Sequence, residues 1–238
     1  MLLYPRVIAH RCGGAFAPEN TLAGLRVAAE LGVTGVEFDV MLTRDGSAVL
    51  IHDETLERTT NGHGRVAEHD LAALQRLDAG ITHAPQYSGE RIPTFEQAWQ
   101  SCADLGLWAN IEIKPSEGQD VATATVLGNC LRDCWRADAG VVSSFSETAL
   151  LAFAERAPDI PRALLVTEIP GDWQARLAGT GCVALHCKGD QGDLPVRLDK
   201  ALAAGVPVAC YTINNRVVGE RLLAAGVAAL FSDRLDIW

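Results

Sequence analysis

The chain has 238 residues, of which 48% are hydrophobic and 21% are charged, and its formal net charge is −10. This composition is typical of a globular protein and excludes a disordered or collagen-like chain, and no apolar run approaches the ~18 residues that cross a bilayer. An acidic surface repels the phosphate backbone of nucleic acids, so we expect no nucleic-acid partner, and a small anionic substrate would need a local cation.

Short apolar runs rich in β-branched residues recur along the chain, and segments with helical periodicity separate them. The runs that we predict as strands are Val7–Arg11, Gly35–Thr43, Trp108–Lys114, Gly140–Phe145, Arg162–Thr167, Cys182–Lys188, Pro207–Ile213 and Ala228–Asp233. The segments that we predict as helices are Thr21–Leu31, Thr94–Ala103, Asp120–Trp135, Glu147–Glu155, Asp193–Ala204 and Asn215–Ala225. Eight strands alternating with helices predict an α/β fold, a (β/α)8 TIM barrel that fills residues 1–238 as a single domain. A doubly wound sheet is the alternative, but no glycine-rich phosphate-binding sequence follows the first strand.

One stretch interrupts this alternation after the second strand. It contains a further apolar piece, Ala48–His52, and then a polar insertion at roughly 53–92 that is rich in Thr, Gly, His and Asp. We predict one short helix in it, near His69–Leu77. Loops that follow barrel strands lie at the carboxyl-terminal mouth, where active sites are assembled, so we expect this insertion beside the active site.

Carboxylates alternate with apolar residues on two of the predicted strands. Glu37 and Asp39 share one face of their strand, and Glu112 and Lys114 share one face of another. Burying like charges together is costly unless a cation compensates them, and three carboxylates without Cys or His suit a hard ion such as Mg²⁺ or Ca²⁺. Internal salt bridges produce the same spacing, and Lys114 fits either a pair with Glu112 or a contact to a substrate anion.

Two histidines end predicted strands and therefore fall at the barrel mouth. His10 is followed by Arg11, and His52 is followed by Asp53. Two histidines that face a common metal, beside an arginine, form an acid/base pair suited to phosphoryl chemistry. For either histidine alone a hydrogen-bonded structural role is the better interpretation, and it is their combination with the carboxylates that favours catalysis.

Three further sets of residues give weaker indications of a functional site. His186 with Cys182 and Cys187 loosely resembles a zinc site but lacks a fourth ligand. Tyr211 ends a strand and fits either the wall of the mouth or a core position. The seven cysteines include no CxxC pair, so we expect buried, reduced thiols.

The order of the polar motifs resembles that of the glycerophosphodiester phosphodiesterase family over essentially the whole chain. The motifs that carry the resemblance are His10-Arg-Cys-Gly13, Pro18-Glu-Asn-Thr21, Glu37-Phe-Asp39, His52-Asp53, Arg58-Thr-Thr-Asn-Gly62, Ile92-Pro-Thr94, Ile111-Glu-Ile-Lys114, Tyr211-Thr-Ile-Asn214 and Phe231-Ser-Asp233. The chain departs from the family at Tyr211, where tryptophan is usual, at Ile81, where an aromatic residue is common, and at Leu235, where proline is frequent.

The resemblance implies a TIM barrel with an insertion after the second strand. It also implies metal-dependent hydrolysis of glycerophosphodiesters to sn-glycerol 3-phosphate and an alcohol, with one divalent cation, Mg²⁺ or Ca²⁺. Carried over by position, the resemblance implies that the metal ligands are Glu37, Asp39 and Glu112. It implies that His10 and His52 are the acid/base pair. Arg11 and Lys114 would then bind the phosphate, and Glu19 would position the substrate or the ion. Tyr211 is the further substrate contact, and its departure from tryptophan bears on substrate preference.

Two other functions remain as alternatives. A phosphodiesterase of the lysophospholipase D type would need an exposed apolar rim or an amphipathic membrane-seeking segment, whereas the insertion is polar, with only Leu71, Leu74 and Leu77 marking a short helix. A non-catalytic phosphate-binding barrel would be expected to lack a catalytic histidine or a metal carboxylate. The expected partner is thus a small molecule, with neither nucleic acid nor stable membrane insertion. Because Pro5 and Arg6 leave no room for a signal-peptide core, we expect a cytoplasmic protein.

Overall fold

The apolar runs of the sequence form nine strands in the computed structural model, which describes residues 2–189 and 195–238. The strands are β1 Val7–Ala9, β2 Gly35–Leu42, β3 Ala48–Leu50, β4 Trp108–Ile113, β5 Gly140–Ser144, β6 Arg162–Val166, β7 Ala184–Lys188, β8 Val208–Tyr211 and β9 Ala229–Ser232. The α-helices in the same ranges are α1 Leu22–Glu30, α2 Leu71–Leu74, α3 Phe95–Leu105, α4 Asp120–Arg132, α5 Glu147–Arg156, α6 Trp173–Thr180, α7 Leu198–Ala203 and α8 Arg216–Ala224. None of these helices has the length and apolar character that spanning a membrane requires.

Eight of the strands pair in parallel and close on themselves. The order around the ring is β1-β2-β4-β5-β6-β7-β8-β9, and β1 pairs with both β2 and β9. β3 lies outside the ring and pairs antiparallel with β2. The predicted (β/α)8 barrel is therefore confirmed, and the doubly wound sheet is excluded.

Hydrophobic packing is divided between the outside and the inside of the barrel. On the outside, large side chains such as Phe38 of β2 and Phe95 of α3 meet between strand and helix, with ring centroids 6.5 Å apart. The inside is narrower, and alanines of β6 to β9 fill much of it. These small residues leave space for the large rings of Trp108 and Phe231 in the same cluster, because each layer of a closed eight-stranded ring has room for only a few side chains.

His186 lies in this interior layer and is fully buried. Its Nε2 atom is 2.8 Å from the Tyr4 hydroxyl, and its ring packs against Phe231. Cys187 follows it on β7 and points to the outer core, where its Sγ lies 3.8 Å from that of Cys210. The zinc interpretation of His186 with Cys182 and Cys187 is therefore wrong, because neighbouring positions on a strand face opposite sides.

The insertion has a small core of its own. Apolar side chains of β2, β3 and residues 53–92 form this cluster, namely Met41, Val49, Ile51, Leu56, Val66, Leu74, Ala79 and Ile92. The predicted helix at His69–Leu77 is present only as the single turn α2. Packing against the top of β2 fixes the insertion next to the carboxyl-terminal mouth of the barrel.

Other boundaries also differ from the prediction. β1 ends at Ala9 because Arg11 and Cys12 adopt left-handed φ values of 51° and 74°, which a strand does not allow. α6 was not predicted from the sequence. The predicted helix Asp193–Ala204 begins outside the described residues, and the helix observed there is α7.

Candidate active site

A cavity of about 430 Å³ opens where the strands of the barrel end. Its volume lies in the range of small-molecule sites, and its position is the one at which TIM-barrel enzymes carry their active sites. The lining residues are His10, Arg11, Glu37, Asp39, His52, Asn110, Glu112, Lys114, Phe145, Leu165, Lys188, Tyr211, Thr212 and Phe231.

Three carboxylates meet on one side of this cavity. Asp39 and Glu112 are direct neighbours in the register of β2 and β4, and one oxygen from each of Glu37, Asp39 and Glu112 lies within 4.8 Å of the others. Glu37 and Asp39 are only 4% and 1% exposed. Burial raises the pKa of Glu37 and of Glu112, and the neighbouring carboxylates, Asp39 foremost, raise both further.

This arrangement fits a divalent cation. Three ionised oxygens at short mutual distances repel one another unless a positive ion lies between them, and oxygen ligands suit hard ions such as Mg²⁺ or Ca²⁺. Among the described residues, no other group of His, Cys, Asp and Glu lies close enough together to hold an ion.

Two residues from the loop after β1 hold these carboxylates in place. Asn20 donates a hydrogen bond to Oδ2 of Asp39 at 2.8 Å and accepts one from the Asp39 backbone N–H at 3.0 Å. The backbone N–H of Arg11 donates to Oε2 of Glu37 at 2.7 Å. Arg11 and Asn20 both have positive φ, so this loop adopts an uncommon backbone shape that brings their polar groups to the carboxylates.

His10 lies at the mouth with one ring nitrogen occupied. Its Nδ1 is 2.7 Å from Oδ1 of Asp233, and Asn214 donates to the second oxygen of Asp233 at 2.8 Å. Burial opposes ionisation of Asp233, but the His10 contact and the Asn214 bond outweigh it and hold the pKa of Asp233 below its ordinary value. An ionised carboxylate only accepts, so Nδ1 carries the proton and Nε2 is left to exchange one.

His52 is held in the same way by its sequence neighbour. Its Nδ1 is 2.6 Å from Oδ1 of Asp53, and its Nε2 is 2.9 Å from Nζ of Lys114. An ammonium group only donates, so Nε2 of His52 carries a lone pair and the ring is neutral. Burial lowers the pKa of His52, and the charges of Lys114 and Arg11 act in the same direction against the opposing influence of Asp39 and Asp53.

Two cations of the site, Lys114 and Arg11, lie against carboxylates. Nζ of Lys114 is 3.7 Å from Glu112 and 3.8 Å from Asp39, so the pairing expected between Lys114 and Glu112 is present. The Arg11 guanidinium is 3.1 Å from Glu19. Glu19 thus contacts Arg11, and the cluster of three carboxylates does not include it.

Arg58 of the insertion joins this network from outside. It donates to Asp53 and to both oxygens of Glu19. Hydrogen bonding to Arg58 is the largest cause that keeps the pKa of Asp53 well below its ordinary value. Burial by itself would raise the pKa of Glu19, yet Arg58 and Arg11 together lower it.

The opposite side of the cavity is largely apolar. Phe145 and Tyr211 meet edge to face with ring centroids 6.1 Å apart, and Leu165 and Phe231 continue the wall. The Tyr211 hydroxyl donates to the backbone carbonyl of Val166 at 2.9 Å, which fixes its ring. Tyr211 therefore lies at the cavity wall, one of the two positions that its place in the sequence allowed.

Sequence reasoning assigned no role to four residues that build this site. Asp53 and Asp233 face the histidines, Asn20 holds Asp39, and Arg58 joins Asp53 to Glu19. All four lie inside the motifs that carry the family resemblance. A search of those motifs for hydrogen-bond partners of the histidines and carboxylates could have identified them.

Comparisons with known proteins agree with this geometry. A model of the glycerophosphoryl diester phosphodiesterase family matches residues 10–237. A glycerophosphodiester phosphodiesterase of Caldanaerobacter subterraneus is 33% identical over 233 residues, which cover 95% of this chain and 93% of that protein.

Solved structures with similar folds include two phosphodiesterases. A phosphodiesterase of Oleispira antarctica, in complex with the product sn-glycerol-3-phosphate, superposes with a TM-score of 0.93 at 38% identity and covers 98% of this chain and 95% of its own. A glycerophosphodiester phosphodiesterase of Agrobacterium tumefaciens superposes with a TM-score of 0.79 at 25% identity, covering 98% of both chains.

Proposed function

This chain belongs to the glycerophosphoryl diester phosphodiesterase family, and we propose that it hydrolyses glycerophosphodiesters to sn-glycerol 3-phosphate and an alcohol with the help of one divalent cation. The observation that carries the proposal is one cavity lined by three largely buried carboxylates and by two aspartate-bound histidines. A substrate phosphate in this cavity would be within reach of every group that the reaction needs.

The metal ligands that we propose are Glu37, Asp39 and Glu112, with Mg²⁺ or Ca²⁺ as the ion. When bound, such a cation neutralises the phosphate charge, which otherwise repels a nucleophile. The raised pKa values of Glu37 and Glu112 support this assignment, because carboxylates packed this closely stay ionised only when a cation compensates them.

Arg11 and Lys114 are the proposed phosphate-binding residues. The guanidinium of Arg11 presents parallel N–H groups that match two phosphate oxygens, and its backbone is anchored on Glu37. Lys114 is a mobile point charge that contacts His52, Asp39 and Glu112. When the phosphate binds, Lys114 donates its hydrogen bonds to the phosphate oxygens, and Nε2 of His52 then becomes available to the reacting atoms.

The two histidines are the proposed general acid and general base. Each has its Nδ1 proton fixed on an aspartate, so each can take or give a proton only through Nε2. One removes the proton of the attacking oxygen, which belongs either to water or to the glycerol hydroxyl, and the other protonates the leaving alkoxide. Where the glycerol hydroxyl attacks, a cyclic phosphate forms and water then opens it to sn-glycerol 3-phosphate. The carboxylates of Asp53 and Asp233 stabilise the imidazolium forms of His52 and His10, respectively, when those forms arise during the reaction.

Glu19 and Tyr211 complete the proposed substrate site. Glu19 positions the substrate through Arg11, whose guanidinium it contacts. Tyr211 and Phe145 offer an apolar surface on which the carbon skeleton of the substrate packs.

The proposal is tested by release of sn-glycerol 3-phosphate from glycerophosphocholine and glycerophosphoethanolamine. We expect release that disappears with EDTA, returns with Mg²⁺, Ca²⁺ or Mn²⁺ added singly, and is lost in His52→Ala. A folded wild-type protein that releases no glycerol 3-phosphate with any ion would overturn it, and hydrolysis of lysophosphatidylcholine by the same sample would then favour a lipid substrate.

A further inference from the structure

Arg58 occupies an unusual place between two parts of the proposed machinery. We infer that Arg58 is a positioning residue that couples the orientation of the catalytic histidine His52 to that of the phosphate-binding Arg11. The inference rests on the proposed function of the site. It concerns a residue that, in the described part of the chain, lines a neighbouring surface depression and not the catalytic cavity.

Arg58 is connected to His52 through the carboxylate of Asp53. Nε of Arg58 donates to Oδ2 of Asp53 at 2.5 Å, and Nη2 donates to Oδ1 at 3.0 Å. The same Oδ1 accepts the Nδ1 proton of His52 at 2.6 Å. The guanidinium plane thus sets the plane of the Asp53 carboxylate, and the carboxylate sets the rotation of the imidazole.

Arg58 is connected to Arg11 through the carboxylate of Glu19. Nη1 and Nη2 of Arg58 donate to the two oxygens of Glu19 at 2.7 and 2.8 Å. Those oxygens also accept from Nη1 of Arg11 at 3.1 and 3.2 Å. Glu19 therefore lies between two guanidinium groups, and the position of one constrains the other.

This double contact requires the shape of a guanidinium. Arg58 uses three nitrogens in two forked contacts to two carboxylates. A lysine has the same charge but no rigid fork, so it can satisfy one carboxylate and cannot hold both in a fixed relation.

The loop that carries Arg58 is a firm support. Leu56 and Thr60 on either side of it are buried, and the Thr60 hydroxyl donates to the Leu56 carbonyl at 2.7 Å. Gly62 packs against the side chain of Leu77, which would have to shift if Gly62 carried a Cβ. Arg58 is therefore presented from a fixed backbone.

A role in stability alone does not explain this arrangement. The Arg58 side chain is 46% exposed, so water can solvate the carboxylates of Asp53 and Glu19 when the guanidinium is removed, and both carboxylates keep a second partner, His52 and Arg11 respectively. Replacement of Arg58 is consequently expected to leave the fold intact, so that a change in activity reports on the orientation of His52 and Arg11.

The test compares Arg58→Gln and Arg58→Lys with a matched control, Arg44→Gln. Arg44 lies between β2 and β3 and likewise makes a forked contact, to Asp70 of the insertion. We expect both Arg58 variants to lose kcat by about 10–100-fold and to raise KM several-fold, as expected for small displacements of catalytic groups. Arg44→Gln keeps wild-type values, and all variants keep the wild-type melting temperature. Wild-type kinetics in Arg58→Lys would show that charge alone suffices and would overturn the inference.

Double variants locate the coupling. In the Asp53→Asn background, Arg58→Gln should produce little further loss of kcat, and in Glu19→Gln it should produce little further rise of KM, because each pair acts along one path. Fully additive effects in both backgrounds contradict the coupling.

An NMR measurement separates this inference from the proposed function, because it needs no turnover. The ¹H and ¹⁵N shifts of the His52 Nδ1–H group, which report its hydrogen bond to Asp53, should be the same in the wild type and in Arg44→Gln and should change in Arg58→Gln. Unchanged shifts of this group in Arg58→Gln overturn the positioning role, whatever reaction the site performs. An inactive wild type with the expected change in these shifts overturns only the proposed reaction.

Discussion

Replacement of Asp233 by asparagine removes the negative charge that faces Nδ1 of His10 and leaves a side chain of the same shape. Asn214 donates to the other oxygen of Asp233, so the new amide has no good orientation. With its oxygen toward Asn214, its NH₂ group faces Nδ1 and favours the wrong tautomer of His10. With its oxygen toward His10, two NH₂ groups oppose each other.

The expected loss follows from the hydrogen bond that is removed. A bond to a charged group contributes about 1.5–3 kcal/mol, and about 1.4 kcal/mol corresponds to a tenfold change in rate. If that stabilisation of the His10 imidazolium exists only during proton transfer, Asp233→Asn lowers kcat by roughly 10–150-fold. The fold should persist, because the Asp233 side chain is already 35% exposed.

The assay is release of sn-glycerol 3-phosphate at saturating substrate and metal. Asp236→Asn is the matched control, since Asp236 is a nearby exposed carboxylate that pairs only with Arg234 among the contacts described for it, and it should keep the wild-type kcat. In a His10→Ala background, Asp233→Asn should produce no further loss. Wild-type kcat in Asp233→Asn, or a full additional loss without His10, would refute this reasoning.

Two further predictions concern metal affinity and stability. Asn20→Ala removes both bonds to Asp39 and should weaken binding of the divalent cation by about 10–100-fold in calorimetric titration; unchanged affinity would show that Asp39 needs no such support. Burial lowers the pKa of His186 to about 3. Below about pH 6.5 the unfolded state therefore binds a proton at His186 that the folded state does not bind. As the pH decreases through this range, the free energy of unfolding decreases by ~1.4 kcal/mol per pH unit. Between about pH 7 and about pH 4.5, urea unfolding of the wild type should therefore lose about 2–3 kcal/mol more than that of His186→Gln, and equal losses in both proteins would contradict this account.

The barrel was predictable because each strand carries its own signal. Glu37 and Asp39 alternate with large apolar residues on β2, and alternation alone assigns the two carboxylates to one face. α6 was not predicted because it is short and buries only Trp173, Leu177 and Thr180, among polar and small residues. So weak a periodicity does not distinguish a helix from a loop.

The hydrogen-bond partners of the candidate site residues were harder to predict. His10 and Asp233 are 223 positions apart, and their contact exists only because β1 and β9 meet when the barrel closes. Arg58 lies in a polar loop whose spacing has no periodicity. Its contacts depend on the packing of the insertion against β2, which sequence patterns do not describe.

In the proposed function, three carboxylates hold a divalent cation on which hydrolysis depends. The most direct measurement titrates Mg²⁺, Ca²⁺ or Mn²⁺ into EDTA-treated protein while sn-glycerol 3-phosphate release from glycerophosphoethanolamine is followed, in the wild type and in Glu37→Gln. Our account predicts that one ion per chain restores the wild type and that Glu37→Gln stays inactive at the same concentrations. Full activity in the presence of EDTA, or equal restoration of Glu37→Gln, would contradict it.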